Sequence, residues 1–242
     1  MRRMLRAEGL GDAPAGGGVT PRGQRTAPLS AAQRRMWFHQ QLSPGSAAYN
    51  ICVAIRLDGP LDAARFAASV RAAVGRHDIL RTTYRAAEDG TPSQVVRPEL
   101  VIDVPVTDAD DAAVDAYARA DGARPFDLAG EPPIRLRLLR LGPTAHVLLL
   151  VAHHIAWDDA SWQVLLGDVA RGYAGAEPAA EPPVRYADFA AWEHERPPAP
   201  MSYWLDRLTP PPAGLALPTD RPRPPTPDET GGRGRSVGSA RP

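Results

Sequence analysis

The sequence predicts an α/β fold, a two-layer α+β sandwich in which helices flank a mixed β-sheet. Residues 134–141, IRLRLLRL, alternate apolar side chains with arginine, and residues 145–152, AHVLLLVA, follow as an apolar run after the turn sequence GPT. This pattern is typical of a hairpin whose second strand is buried on both faces. A helical stripe comes next, formed by Trp162, Leu165, Leu166, Val169 and Tyr173.

The N-terminal elements begin at recognisable caps. Ser30 and Gln33 have the spacing of a capping box, so a helix is expected to begin there and to include RRMWFHQQL. Residues 49–57 are rich in β-branched and aromatic side chains and predict a strand. Asp62 is the expected cap of a helix that ends near Gly75.

The remaining elements are shorter. Residues 79–84 and 93–97 are predicted to be strands, and residues 109–121 a weaker, acidic helix. Prolines become frequent after residue 176, and the segments VRYADFAAWEHE and MSYWLDRL are expected to be short helices between them.

The expected organisation has three parts and no internal repeat. Residues 1–28 contain GDAPAGGG and predict a disordered leader. Residues 29–208 form the folded domain. Residues 209–242 form a tail rich in proline, glycine and arginine, with almost nothing to bury.

Composition excludes several classes of function. The 28 basic residues, all arginine, balance the 28 acidic residues, so no excess of charge favours nucleic acid or an anionic membrane as a partner. Cys52 is the one cysteine, which excludes an internal disulfide and fits a reducing compartment. No apolar run approaches the roughly 20 residues that span a bilayer. A cytoplasmic protein is therefore expected.

The chemistry is concentrated in residues 151–161, VAHHIAWDDAS, between the buried strand and the helical stripe. Histidine exchanges protons near neutral pH, and adjacent side chains on extended backbone point to opposite faces, so only one of His153 and His154 is expected to face a pocket. Asp158 has three open roles: orienting an imidazole, pairing with a buried arginine, or capping the helix. Asp159 is most simply that helix's N-cap. No metal-binding motif is present, and no metal is expected.

HHIAWDD resembles the HHxxxDG signature of nonribosomal peptide synthetase condensation domains and of related acyltransferases. Three further segments resemble signatures of the same family in the same order: LSAAQRRMWFHQQL (29–42), RHDILRTTY (76–84) and RYADFAAW (185–192). ALPTDRPRP (216–224) resembles the segment that leaves the first lobe of such a domain.

The resemblance implies a chloramphenicol-acetyltransferase-like lobe, one of two that enclose an active-site tunnel. It also implies amide formation between thioesters carried on the phosphopantetheine arms of partner carrier proteins, with no cofactor bound to the chain itself. His154 matches the histidine that faces the tunnel, His153 the more structural one, and Asp158 the aspartate held by a salt bridge to an arginine. Arg81 is the first candidate for that arginine and Arg76 the second.

The sequence departs from the family in two respects. Asp159 replaces the motif glycine, which adds bulk and charge beside His154 and favours the protonated imidazole, a poorer base. The second lobe is missing, and the fragment alone is not expected to be active. The tail consists of residues that GC-rich codons favour. A frameshift or a truncated reading frame explains this composition as well as a protein that functions with one lobe does. A lone lobe is expected to self-associate through its uncovered face.

Two other functions remain open. One is an enzyme that acylates an alcohol rather than an amine, because such relatives share HHxxxD. The other is a non-catalytic lobe that binds a carrier protein or another synthetase module. A trimer of single lobes is a further way to rebuild a site.

Overall fold

In the computed structural model, the described residues are 18–177, 180–196 and 201–211, together with 218 and 222. The chain forms two compact units, Met1–Arg196 and Pro197–Pro242. The strands in the described part are β1 (Thr26–Pro28), β2 (Asn50–Asp58), β3 (Thr82–Ala86), β4 (Pro92–Val96), β5 (Val106–Asp108), β6 (Ile134–Gly142) and β7 (Ala145–His153). The helices there are α1 (Ala31–Leu42), α2 (Ala63–Arg76), α3 (Asp111–Ala123), α4 (Asp159–Ala174), α5 (Tyr186–His194) and, in the second unit, α6 (Ser202–Arg207).

The strands of the first unit form two sheets. The larger has the order β2-β7-β6-β5, in which β5 runs parallel to β6 and the other neighbours are antiparallel. The smaller is antiparallel, with the order β1-β4-β3. The predicted mixed sheet is confirmed, and the fold adds a second sheet to it.

Strand β7 is the centre of the larger sheet, and its residues from His146 to His153 are all buried. On one face, Leu148, Leu150 and Ala152 pack in the main core with side chains of α2 and α4. On the other face, Leu149 and Val151 belong to two smaller clusters. The predicted burial of this strand on both faces is confirmed.

The caps predicted for the first two helices are also confirmed. Ser30 Oγ accepts the backbone N–H of Gln33 at 3.1 Å, and the Gln33 amide oxygen accepts the backbone N–H of Ser30 at 3.0 Å. The Asp62 carboxylate accepts the backbone N–H of Arg65 at 3.0 Å. Each side chain satisfies a donor that the first helical turn leaves without a partner.

The N-cap of α4 is Asp158, so the prediction that Asp159 caps this helix is wrong by one residue. Asp158 Oδ1 accepts the backbone N–H of Ser161 at 3.0 Å and its hydroxyl at 2.7 Å, and Ser161 Oγ accepts the backbone N–H of Asp158 at 3.2 Å. Asp159 is the first helical residue. The box closes between Asp158 and Ser161 because the side chain of an N-cap reaches the backbone N–H three residues later and the side chain at that position reaches back.

Residues 78–81 form a 3₁₀ turn rather than the beginning of the predicted 79–84 strand. Local bonds outweigh the strand propensity: Thr82 Oγ1 donates to the Asp78 carbonyl at 2.7 Å, and Leu80 N–H donates to the His77 carbonyl at 2.9 Å. The extended strand β3 begins only at Thr82.

The first boundary predicted from the sequence, at residue 28, is also corrected. Thr26–Pro28 form β1, which pairs with β4, and the Arg22 N–H donates to Asp188 at 2.8 Å. Residues 1–17 of the expected leader, and all of the expected tail except 209–211, 218 and 222, lie outside the described residues. No helix among the described residues is both long enough and apolar enough to cross a membrane.

The capping geometry predicts that Asp158→Ala lowers the free energy of unfolding by about 1 kcal/mol, because the first turn of α4 loses its side-chain acceptor. Asp158→Asn, which keeps an acceptor oxygen, should lose much less. Urea unfolding of both variants measures the difference.

Asp159→Asn is the matched control, because Asp159 is an exposed acid of the same turn without the capping role. The loss of free energy of unfolding in this variant should be about 0.3 kcal/mol, the lower end of the contribution of an exposed first-turn acid. Equal losses in Asp158→Ala and Asp159→Asn would contradict the assignment of the cap.

Candidate active site

The candidate site is the turn that connects the end of β7 to α4. His153 is the last residue of β7 and is 1% exposed, whereas the next residue, His154, is exposed. The two imidazoles therefore occupy opposite environments, as the alternation of side chains along a strand requires. One histidine is available to a ligand, and the other belongs to the interior.

His154 is held by backbone carbonyl groups on two segments. Its backbone N–H donates to the Tyr49 carbonyl at 2.9 Å, which anchors the turn to the residue before β2. Its ring Nδ1 lies 2.6 Å from the Trp157 carbonyl oxygen. A carbonyl oxygen only accepts, so Nδ1 carries the proton, and Nε2 of the neutral ring keeps its lone pair for a proton from outside.

The acceptor in that bond is itself fixed. Trp157 is 3% exposed and packs edge-on against Trp162, with ring centroids 4.8 Å apart. Trp162 lies in the first turns of α4 and Asp158 caps the same helix. The turn from His154 to Asp158 is therefore fixed at both ends by packed structure, which orients the His154 ring.

His153 is held as a neutral ring. Its Nδ1 accepts the Ile155 N–H at 3.1 Å, and its ring lies 5.9 Å from those of Tyr49 and Phe126, measured between centroids. Burial, and to a lesser extent the charges of His154 and Arg135, lowers the pKa of His153 from 6.5 to about 4. His153 therefore stays uncharged near neutral pH and supports the turn from inside.

The predicted salt bridge between Asp158 and Arg81 or Arg76 is replaced by other pairs. Arg81 binds the buried Asp78, whose second oxygen lies 2.8 Å from Arg185. Arg76 binds Asp168 at 2.9 Å. Asp78 is buried and Asp168 is half-buried, and a carboxylate without a partner in either place is costly, so each arginine is held by its carboxylate.

Asp158 is exposed and its carboxylate serves the helix cap. Asp159 is also exposed, at the first position of α4. An apolar cavity of about 180 Å³ lies against this turn of the helix. Its lining is formed by His77, Ile79, Leu80, Ala156, Trp157, Asp158, Ala160, Ser161, Val164 and Leu165.

Sequence reasoning did not find the groups that hold the histidines. Two of these groups are the backbone carbonyls of Tyr49 and Trp157, and a backbone carbonyl cannot be predicted from the type of its residue. The other two are the side chains of Phe126 and Arg135. The sequence pattern could have indicated Arg135, because it is a charged residue on a strand that pairs with a strand buried on both faces. Such a charge must find partners close to the core.

The lowered pKa of His153 predicts a pH-dependent stability. The unfolded chain binds a proton at His153 near pH 6.5, whereas the folded chain resists it until about pH 4. The contribution of neutral His153 to the free energy of unfolding is therefore fully present above pH 6.5. It is lost as the pH is lowered from 6.5 to 4, by up to about 3 kcal/mol. Urea unfolding across this range measures the loss.

His153→Asn keeps an acceptor for the Ile155 N–H but does not titrate, so its stability should be less sensitive to pH between 6.5 and 4 than that of the unchanged chain. A slope identical in both proteins would show that His153 titrates alike in the folded and unfolded states.

Comparison with known proteins places this geometry in a family. The condensation-domain family model matches residues 23–235. The chain is 41% identical over 213 residues to a probable non-canonical nonribosomal peptide synthetase, CymA, of Salinispora arenicola (strain CNS-205), a match that covers 81% of this chain and 3% of that protein. It is 42% identical over 226 residues to the isonitrile lipopeptide synthase of Mycobacterium tuberculosis, a match that covers 84% of this chain and 9% of that protein.

A solved structure supports the same family assignment. The complex of the X-domain and OxyB from teicoplanin biosynthesis matches with a TM-score of 0.74 and 29% identity, over 88% of this chain and 50% of that chain. The chain thus spans 3% and 9% of these two curated relatives and half of the solved chain. The predicted chloramphenicol-acetyltransferase-like α/β lobe is confirmed, and the chain belongs to the condensation-domain family of nonribosomal peptide synthetases.

Proposed function

We propose that the chain takes part in amide bond formation between two thioester-bound substrates, with His154 as the residue that meets the reacting amine. The observation that carries this proposal is the exposed His154 ring, whose Nδ1 is bonded to the Trp157 carbonyl so that the other nitrogen is free to act. Membership of the condensation family supports the reaction class.

The proposed step balances without a cofactor on the chain. The acceptor amine nitrogen attacks the donor thioester carbonyl carbon, and Nε2 of His154 takes a proton from that nitrogen. The carbon–sulfur bond then breaks, the amide is released, and the thiolate takes the proton back from the imidazolium. His154 returns to its neutral form with Nδ1 still bonded to the Trp157 carbonyl.

Positioning should contribute more than proton transfer. A free α-amino group has a reference pKa of about 7.7–8.0, so a useful fraction is already unprotonated near neutral pH. General base catalysis supplies about 10²–10⁴-fold, whereas alignment of two reactants contributes roughly 7–11 kcal/mol. The fixed His154 ring suits both contributions, because its bond to Trp157 sets its direction before substrate arrives.

The proposed partners are carrier proteins that deliver the substrates on 4′-phosphopantetheine arms, together with other synthetase modules in the cytoplasm. One of the relatives is a probable nonribosomal peptide synthetase and the other a lipopeptide synthase, which supports this choice over transfer to an alcohol.

In a complete two-lobed condensation domain that carries this lobe, His154→Ala should lower the rate of dipeptide formation from two carrier-bound aminoacyl thioesters by about 10²–10⁴-fold, leaving a slow residual rate that positioning alone supports. Product formation followed by mass spectrometry measures the change. His194→Ala is the matched control, because His194 lies on α5 with its ring 3.5 Å from the Arg34 guanidinium of α1, and its loss should leave the rate unchanged. A full rate in His154→Ala would contradict the proposal.

A second candidate is a non-catalytic lobe that binds another protein. It is favoured by the solved match, in which an X-domain of this fold is complexed with OxyB. If this candidate is correct, the chain should retain micromolar or tighter binding to a carrier protein while His154→Ala has no effect on that binding. Fluorescence anisotropy of a labelled carrier protein measures it, and binding that needs His154 would favour the catalytic function.

A further inference from the structure

Arg135 lies on β6 directly opposite Val151 of β7, two residues before His153. Its guanidinium carbon lies 3.7 Å from the centroid of the Phe126 ring, a close cation–π contact. The Phe126 ring in turn meets the His153 ring nearly at a right angle, 85° between planes, at 5.9 Å. Phe126 thus lies between a fixed charge and the inner histidine of the site.

The guanidinium is held in this place by several acceptors. It donates to the Arg124 carbonyl at 2.8 Å, to the Pro125 carbonyl at 2.6 Å and to the Glu131 carboxylate at 2.6 Å. Its side chain is 15% exposed. Arg135 therefore fixes both the Phe126 ring and the backbone that leads to it. A lysine, whose charge is a point at the end of a flexible side chain, would hold them less well.

The contacts continue to His154. The Phe126 carbonyl accepts from Gln40 of α1 at 3.2 Å, and Phe126 is 2% exposed. The His153 ring contacts Phe126 on one side and Tyr49 on another, and the Tyr49 carbonyl accepts the His154 N–H. A packed path thus joins Arg135 to the backbone that aims His154.

We propose that Arg135 is a positioning residue for His154, acting through Phe126 and His153. The role rests on the proposed function only where it concerns rate, because the placement of the two imidazoles is a property of the folded chain. Interiors are close-packed, so a shift of Phe126 must move the rings that it contacts.

Arg137 offers a matched control on the same strand and the same face. It is bonded to Asp121 at 2.8 and 3.0 Å and lies 5.4 Å from the Tyr117 ring centroid. Both of these partners lie on α3. Loss of Arg137 removes a comparable ion pair and ring contact outside the path to the histidines.

The experiment compares Arg135→Gln, Arg135→Lys and Arg137→Gln in the full chain. The histidine ring resonances are followed by NMR as the pH is varied, together with the urea unfolding midpoint. The kcat and KM of dipeptide formation are measured for the same substitutions in a two-lobed condensation domain that carries this lobe. The charges that act on His153 are those of His154 and Arg135, so the pKa of His153 should rise above about 4 in Arg135→Gln. It should stay nearly unchanged in Arg135→Lys, which keeps the charge.

Both Arg135 variants should displace the ring resonances of His153 and His154 and lower kcat by up to about 100-fold, as small misplacements of a reacting group do, with little change in KM. Arg137→Gln should shift the unfolding midpoint and leave the resonances and kcat as they are. Displaced resonances, together with a two-lobed domain in which His154→Ala leaves the rate unchanged, would support the positioning role and reject the proposed function. Unchanged resonances and kcat in folded Arg135→Lys would overturn the positioning role.

Discussion

The register of β7 is the constraint on which the site depends. This strand pairs along its whole length, from Ala145 to His153, with β2 and lies beside β6 on its other edge. Both faces are buried, so a slip of one residue would exchange every side chain between two differently shaped cores. The same register decides that His153 enters the interior and that His154 leaves it. The chemistry of the pair is therefore set by strand pairing before any ligand arrives.

From that starting point, the site is built largely from main-chain groups. The carbonyls of Tyr49 and Trp157 hold the backbone and the ring of His154, and the N–H of Ile155 holds the ring of His153. These main-chain groups lie in turns next to β2, β7 and α4, and they select one tautomer of each neutral ring without an added carboxylate. Asp158 contributes indirectly, because the cap that it supplies fixes where α4 begins and hence where the turn ends.

The sequence predicted those features of the fold that depend on local sequence patterns. The hairpin of β6 and β7, the caps at Ser30 and Asp62 and the turn that bears the histidines follow from periodicity and short-range bonding. The three-residue strands β1 and β5 were missed, because strands so short are stabilised by their neighbours rather than by their own residues. The arginine partners were also missed: Arg81 pairs with Asp78, only three residues before it, and Arg76 pairs with Asp168, far away in the chain.

The acid that replaces the motif glycine is compatible with this scaffold. Asp159 is exposed and occupies the first position of α4, where the N–H groups of the first turn and the helix dipole favour a negative charge. Folding therefore does not oppose the substitution, and the adjacent Asp158 uses its own carboxylate to bind Ser161 rather than a distant arginine. Asp159 therefore acts on the start of α4 through its charge, whereas Asp158 acts there through its cap.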